Sequence, residues 1–99
     1  MGAGAWVYIL RCADGTLYTG WTSDVERRLE SHLRGRASRY TASRLPVQLA
    51  LALPVGDRRT AMREEARIKA LDRAAKLALI AARAHEAPGE VDADRALRD

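Results

Sequence analysis

Three kinds of side chain in the first third of the chain could do chemistry together: two phenols (Tyr8, Tyr18), two adjacent guanidiniums (Arg27, Arg28) and an imidazole (His32). Phenols and imidazoles pass protons, and a guanidinium grips an anion with a fork of N–H donors. Arg28 and His32 are four residues apart, which stacks them on one helical face. Further on, Glu64 and Glu65 stand side by side in a stretch of helical periodicity. A carboxylate set against an apolar stripe is costly unless it is paired, hydrogen-bonded or metal-bound.

These groups can cooperate only if the backbone gathers them. Trp6 to Cys12 and Thr16 to Trp21 read as two strands, with Asp14-Gly15 as a hairpin signal between them. If those two residues alone formed the loop, Tyr8 would pair with Trp21 and the phenols would point to opposite faces. A three-residue loop, Ala13-Asp14-Gly15, with a type I turn and Gly15 left-handed, instead pairs Tyr8 with Gly20 and Leu10 with Tyr18. Both phenols then leave one face, and Gly20 provides open space beside Tyr8. This second register is the expected one, because a type I turn tolerates Ala and Asp at its centre.

The remaining elements follow from caps and periodicity. Ser23 opens a capping box with Glu26, so a helix is expected to run to about Arg34 with Val25, Leu29 and Leu33 as its apolar stripe. Residues 34–44, RGRASRYTASR, carry four arginines and no acid and read as a loop or short irregular turn. Arg34, Arg36, Arg39 and Arg44 there could form a phosphate-contacting lip, with Tyr40 stacking on a base or approaching the scissile phosphate; a solvated loop with an anchoring tyrosine is the plainer alternative. Pro46 to Pro54 alternates with period two, which predicts a third strand with Val47, Leu49, Leu51 and Leu53 on one face. Asp57 caps a helix to about Leu71, with Ala61, Ile68 and Leu71 inward, and Asp72 caps a last one to about Arg83, with Leu77, Ile80 and Ala81 inward. On a helical wheel Glu64 falls between Ile68 and Leu71, whereas Glu65 lies just past Ala61, so periodicity favours Glu64 as the inward carboxylate.

Composition bounds the class. Ninety-nine residues make one domain, and 47% hydrophobic with 30% charged residues is the balance of a globular chain. The division expected is a domain over residues 1–85 and an acidic, flexible tail over 86–99. That tail holds five acids against Arg95 and Arg98; without it the chain has 15 basic and 8 acidic side chains, a net of +7 rather than +4. So basic a body favours a polyanionic partner. A single cysteine, Cys12, excludes an intramolecular disulfide or a cysteine-based metal cluster and fits a reducing, cytoplasmic setting. No signal peptide, myristoylation pattern or apolar run long enough to span a membrane is visible.

The ordered set of Val7-Tyr8, a hairpin, Tyr18-Thr19-Gly20, then Arg28 and His32 one helical turn apart resembles the GIY-YIG nuclease domain. The continuation through Tyr40-Thr41, Arg44-Leu45-Pro46-Val47, Arg63 to Leu71 and Ala74 to Ile80 is similar to the small stand-alone bacterial members of that superfamily. The likeness covers residue 6 to about residue 81. It implies an α+β domain, a three-stranded antiparallel sheet flanked by helices in the order β-β-α-β-α-α. It implies a metal-dependent endonuclease acting on nucleic acid, DNA rather than RNA, with a place in DNA repair or recombination. Tyr8 becomes the general base, with Arg28 gripping the scissile phosphate and lowering the phenol's pKa. Tyr18 and His32 complete the hydrogen-bond network around the phosphate, with proton transfer and core packing as the two alternatives for His32, and Gly20 belongs to the nucleic-acid-binding surface. Glu65 becomes the ligand of one Mg²⁺ or Mn²⁺, because the small relatives place their glutamate three residues before an Ile-Lys pair, here Ile68-Lys69; the plainer alternative for either glutamate is a salt bridge with Arg63, Arg67 or Lys69.

The chain departs from the pattern where Trp6 replaces the first glycine, Thr19 an apolar residue, and Trp21 a lysine found in some relatives. No separate DNA-recognition domain is visible, so weak sequence specificity is expected. Neither a membrane nor a small-molecule cofactor is implied. Two readings compete with the nuclease. A binding module of the same fold would hold nucleic acid irrespective of metal, and an adaptor docking through the last helix and acidic tail would tolerate charge reversal at Arg28 and Arg39.

Overall fold

The computed structural model describes residues 4–86, with side chains through residue 84. The acidic tail beyond Glu86, with its Ala87-Pro88-Gly89 break, lies outside the described residues. Strands β1 (Trp6–Cys12), β2 (Leu17–Thr22) and β3 (Val47–Pro54) form one sheet in the order β2-β1-β3, antiparallel throughout. Helix α1 is Val25–Leu33, α2 is Arg39–Ala42, α3 is Arg58–Lys69 and α4 is Arg73–Glu86. The long elements follow the expected β-β-α-β-α-α order. The addition is α2, a single turn within the arginine-rich stretch, started by Ser38 accepting the Thr41 N–H at 3.3 Å.

The hairpin takes the three-residue loop. Gly15 adopts φ +86°, its N–H donates to the Cys12 carbonyl at 2.9 Å, and Cys12 N–H donates to Thr16 O at 2.9 Å. Tyr8 therefore faces Gly20 and Leu10 faces Tyr18. The sheet has apolar side chains on both sides, so the two faces bury different residues. Val7, Ile9 and Leu51 pack against Ala61 and Ile68 of α3, with Leu79 and Ile80 of α4 at the margin. Each fully buried aliphatic there contributes about 1.5–3 kcal/mol. Tyr8, Leu10, Cys12 and Val47 form the other cluster, covered by Tyr18 and by Leu29 of α1.

Four local expectations are corrected. The helix α1 is capped by Asp24, not Ser23: Thr22 Oγ1 accepts the Asp24 N–H at 3.1 Å, which turns the chain and leaves the Asp24 carboxylate to accept the Arg27 N–H at 3.1 Å. The four apolar residues of β3 do not share a face, because a bulge opposite Ile9/Leu10 adds one residue, Ala50, to the strand. Leu51 and Leu53 pair with Ile9 and Val7 on the α3 side, whereas Val47 and Leu49 pair with Cys12 and Leu10 on the other, where Leu49 is 41% exposed. The apolar stripe of α1 ends early, with Leu33 46% exposed, and its buried residue is His32. On α4, Leu79 packs with Ile80 while Ala81 is exposed.

Candidate active site

Because Tyr8 and Tyr18 leave one face of the sheet, α1 can cross that face and set His32 between them. Tyr8 Oη lies 2.8 Å from His32 Nε2, and the Tyr18 ring meets the imidazole edge-on with centroids 5.2 Å apart. Gly20 makes the arrangement geometrically feasible. A Cβ at residue 20 would sit 2.6 Å from Tyr8 Oη and 2.7 Å from its Cζ, so the phenol lies directly over the glycine.

His32 is fully buried and its second nitrogen, Nδ1, lies 2.8 Å from Thr41 Oγ1, supplied by α2. Thr41 is fully buried too, and its hydroxyl donates to the Ser38 carbonyl at 3.4 Å. One tautomer pairs every proton of this chain inside the protein: Thr41 to Ser38, His32 Nδ1–H to Thr41, and Tyr8 O–H to His32 Nε2. In the other, the phenol proton has no protein acceptor. Thr41 is the site residue that sequence reasoning missed, since nothing local in the sequence links it to a histidine nine residues earlier across the Gly35 turn.

Burial, then the Arg28 charge, holds the His32 pKa below its ordinary value, so the ring is neutral at neutral pH and able to accept a proton. The phenol departs from expectation. Burial foremost, with Tyr18 and Glu65 adding to it, raises the Tyr8 pKa above its usual value, and Arg28 acts in the lowering direction but is outweighed. A standing tyrosinate is therefore disfavoured.

The solvent side of Tyr8 opens into a cleft of about 280 Å³ lined by Tyr8, Tyr18, Gly20, Trp21, Arg28 and Glu65, among others. Glu65 comes from α3, which packs on the opposite face, so its side chain reaches round the free edge of β2. The two glutamates thereby differ in surroundings. Glu64 is held by Arg67 at 2.8 and 3.0 Å, whereas Glu65 borders the cleft and has Lys69, at 3.7 Å, as its one ion-pair partner among the described residues. The wheel placed Glu64 inward, but it could not anticipate that the outer limit of the packed face is the sheet edge, where Glu65 emerges.

The arginine-rich stretch is divided. Arg36 lines a groove adjoining the cleft. Arg34 is paired with Glu30 at 3.2 Å. Arg44 bonds the Asp14 carboxylate at 3.0 Å and the Tyr40 carbonyl at 2.9 Å, and lies 3.8 Å over the Tyr40 ring. Tyr40 also stacks near-parallel against Tyr18 with centroids 6.0 Å apart, so the ring read as a base-stacking platform already has protein partners. Arg39 is exposed and has no carboxylate partner among the described residues. Trp21 borders the cleft with the Arg58 guanidinium 5.7 Å from its ring centre.

A metal ion here would have one protein carboxylate: no group of three or more His, Cys, Asp or Glu suited to a metal occurs among the described residues. The donor chemistry fits a hard cation that keeps most of its waters, because Glu65 offers carboxylate oxygens with no guanidinium fork closing on them.

Two tyrosines of a small antiparallel sheet thus meet an arginine and a glutamate from the flanking helices at one cleft, with a histidine buried behind the first phenol, and residues 4–78 match the model of the GIY-YIG catalytic domain. The chain belongs to that family. It is 49% identical over 76 residues to a UPF0213 protein of Streptococcus agalactiae, spanning 77% of this chain and 86% of the relative. A UPF0213 protein of the archaeon Halobacterium salinarum is 48% identical over 73 residues, 74% of this chain and 95% of the relative. Among solved structures, the solution NMR structure of a UPF0213 protein from Bacillus halodurans superposes with a TM-score of 0.52 at 40% identity, covering 78% of this chain and 82% of that one. The fold described above is shared with that structure. No described helix is long and apolar enough to cross a membrane.

Proposed function

We propose that the protein hydrolyses phosphodiester bonds within nucleic acid, as an endonuclease dependent on one Mg²⁺ or Mn²⁺, with DNA as the first substrate to test. The observation that carries this reading is the convergence of Tyr8, Arg28 and Glu65 on one cleft, with a neutral imidazole bonded behind the phenol. Arg28 binds the non-bridging oxygens of the scissile phosphate. Tyr8 takes a proton from the attacking water as it releases its own to His32 Nε2, so no tyrosinate accumulates and the raised phenol pKa is no obstacle. Thr41 holds the imidazole in the accepting tautomer. A divalent cation on Glu65 would add Lewis-acid stabilisation of charge on the phosphate oxygens.

Incubation with duplex, branched and single-stranded substrates, with and without Mn²⁺, tests this. Metal-dependent cleavage that is lost in Tyr8→Phe while affinity is kept supports it. The absence of cleavage on every substrate, in a protein that binds nucleic acid equally with and without metal, would favour the second reading. That reading, a binding module of the same fold, draws its support from the burial that raises the Tyr8 pKa.

A further inference from the structure

Successive helix residues diverge by about 100°. Arg28 accordingly turns toward the Tyr8 cleft, while Arg27 lines the adjoining groove, a depression of about 660 Å³ that shares Thr22, Ser23 and Arg28 with the cleft. Ser31, one turn beyond Arg27, and Arg36 line the same groove. The end of α1 fixes Arg36 in place: Gly35 at φ +74° lets its own N–H donate to His32 O at 2.9 Å and the Arg36 N–H donate to Ser31 O at 3.0 Å, the paired bonds of a Schellman turn. Residue 36 is thereby tied back beside Ser31, and its guanidinium starts from a fixed point.

The charges here are unspent. Neither Arg27 nor Arg36 has a carboxylate partner among the described residues, unlike Arg34, Arg44 and Arg67. The one acid lining the groove, Asp24, is engaged as the α1 cap by the Arg27 N–H. Past Arg36 the surface reaches the Glu30–Arg34 pair, where charge is neutralised. Two guanidiniums and a hydroxyl converging in a polar groove are the donor set for a phosphate.

We infer that Arg27, Ser31 and Arg36 form a second phosphate subsite, which holds the phosphodiester neighbouring the scissile one on the same strand. This rests on the proposed nuclease reading for what occupies the first cleft. It makes a strand with two consecutive phosphodiesters the smallest ligand to fill both sites.

The test is an NMR titration, without metal, of the full chain with a thymidine dinucleotide carrying one phosphodiester and a trinucleotide carrying two. In the wild type the second phosphate improves affinity by about tenfold, the effect of one charge-assisted contact set. In Arg27→Ala/Arg36→Ala that gain disappears, whereas in Arg34→Ala it persists; the paired lysine variant retains part of it through charge alone. Both arginines are exposed, and an amide spectrum unchanged outside the groove shows that the fold is kept. A gain of the same size in the double alanine variant, or no gain in the wild type, overturns the subsite. A wild type that binds the trinucleotide in this way yet, with Mn²⁺ present, cleaves no duplex, branched or single-stranded substrate overturns the nuclease reading and leaves the subsite standing.

Discussion

Replacing Gly20 by alanine tests the geometry on which the site depends. The new methyl would meet Tyr8 Oη at 2.6 Å and Cζ at 2.7 Å, distances that a real Cβ does not tolerate. A free tyrosine tip would swing away, but this one is 3% exposed and bonded to a fully buried imidazole. Either the ring moves and strands His32 Nε2, at about 1–3 kcal/mol, or β2 shifts against β1, at a similar cost for overpacking. A loss of about 1–3 kcal/mol follows, and with it a drop of about 4–8 °C in melting temperature per kcal/mol for a domain of this size. The control is the same change beside Tyr8→Leu, which lacks both clashing atoms. There Gly20→Ala becomes neutral or gains about 0.5 kcal/mol, because alanine loses less backbone entropy in a strand than glycine. Urea titrations of the four proteins give the coupling energy directly, expected near 2 kcal/mol or more. An equal cost of Gly20→Ala in both backgrounds would show that the phenol does not lie over the glycine.

Three further outcomes are expected. Glu65→Gln removes the rise in melting temperature produced by Mn²⁺ and removes metal-dependent cleavage, whereas Glu64→Gln keeps both and forfeits only its exposed pair with Arg67, at most about 0.5 kcal/mol; the reverse pattern would move the ion to Glu64. His32 has its folded pKa below its unfolded one, so the unfolded chain takes up the proton first, and stability present above pH ~6.5 is lost as pH falls from there through the folded value; urea midpoints between pH 4.5 and 8 should lose that part of their slope in His32→Gln. Thr19 Oγ1 is buried on the α3 side of the sheet without a hydrogen-bond partner among the described residues, so Thr19→Val, of equal shape, should stabilise by about 1 kcal/mol, seen as a higher urea midpoint; a loss of stability would mean that the hydroxyl has a partner.

Legibility in the sequence tracked how local each determinant was. The hairpin register could be read because Gly15 decides it within three residues, and that alone put both phenols on one face. Asp57 and Asp72 act as caps over their own next turn and were equally plain. Ser23 misled because Thr22, one residue earlier, bonds the Asp24 N–H and moves the cap on by one, a competition between two good cap residues that composition does not rank. Leu49 misled because a bulge leaves no mark in an alternating run; Ala50 is the extra residue and looks like any strand alanine. The lip arginines were read as one group from their charge. Glu30 and Asp14, both outside the stretch, take up Arg34 and Arg44; the first is a pair four residues apart that helical spacing reveals, whereas the second joins residues 30 apart in sequence and is invisible to a linear reading.

Glu65 approaches from behind the sheet, and this ties the cleft to both layers of the domain. Tyr8, Tyr18, Arg28, His32 and Thr41 all lie within the first 41 residues. The carboxylate comes from α3, whose Ala61 and Ile68 pack on the opposite face. A substitution that loosens α3 there would draw Glu65 away from the cleft while leaving the Tyr8–His32–Thr41 chain bonded, so damage to the core on one side of the sheet is felt by the groups on the other.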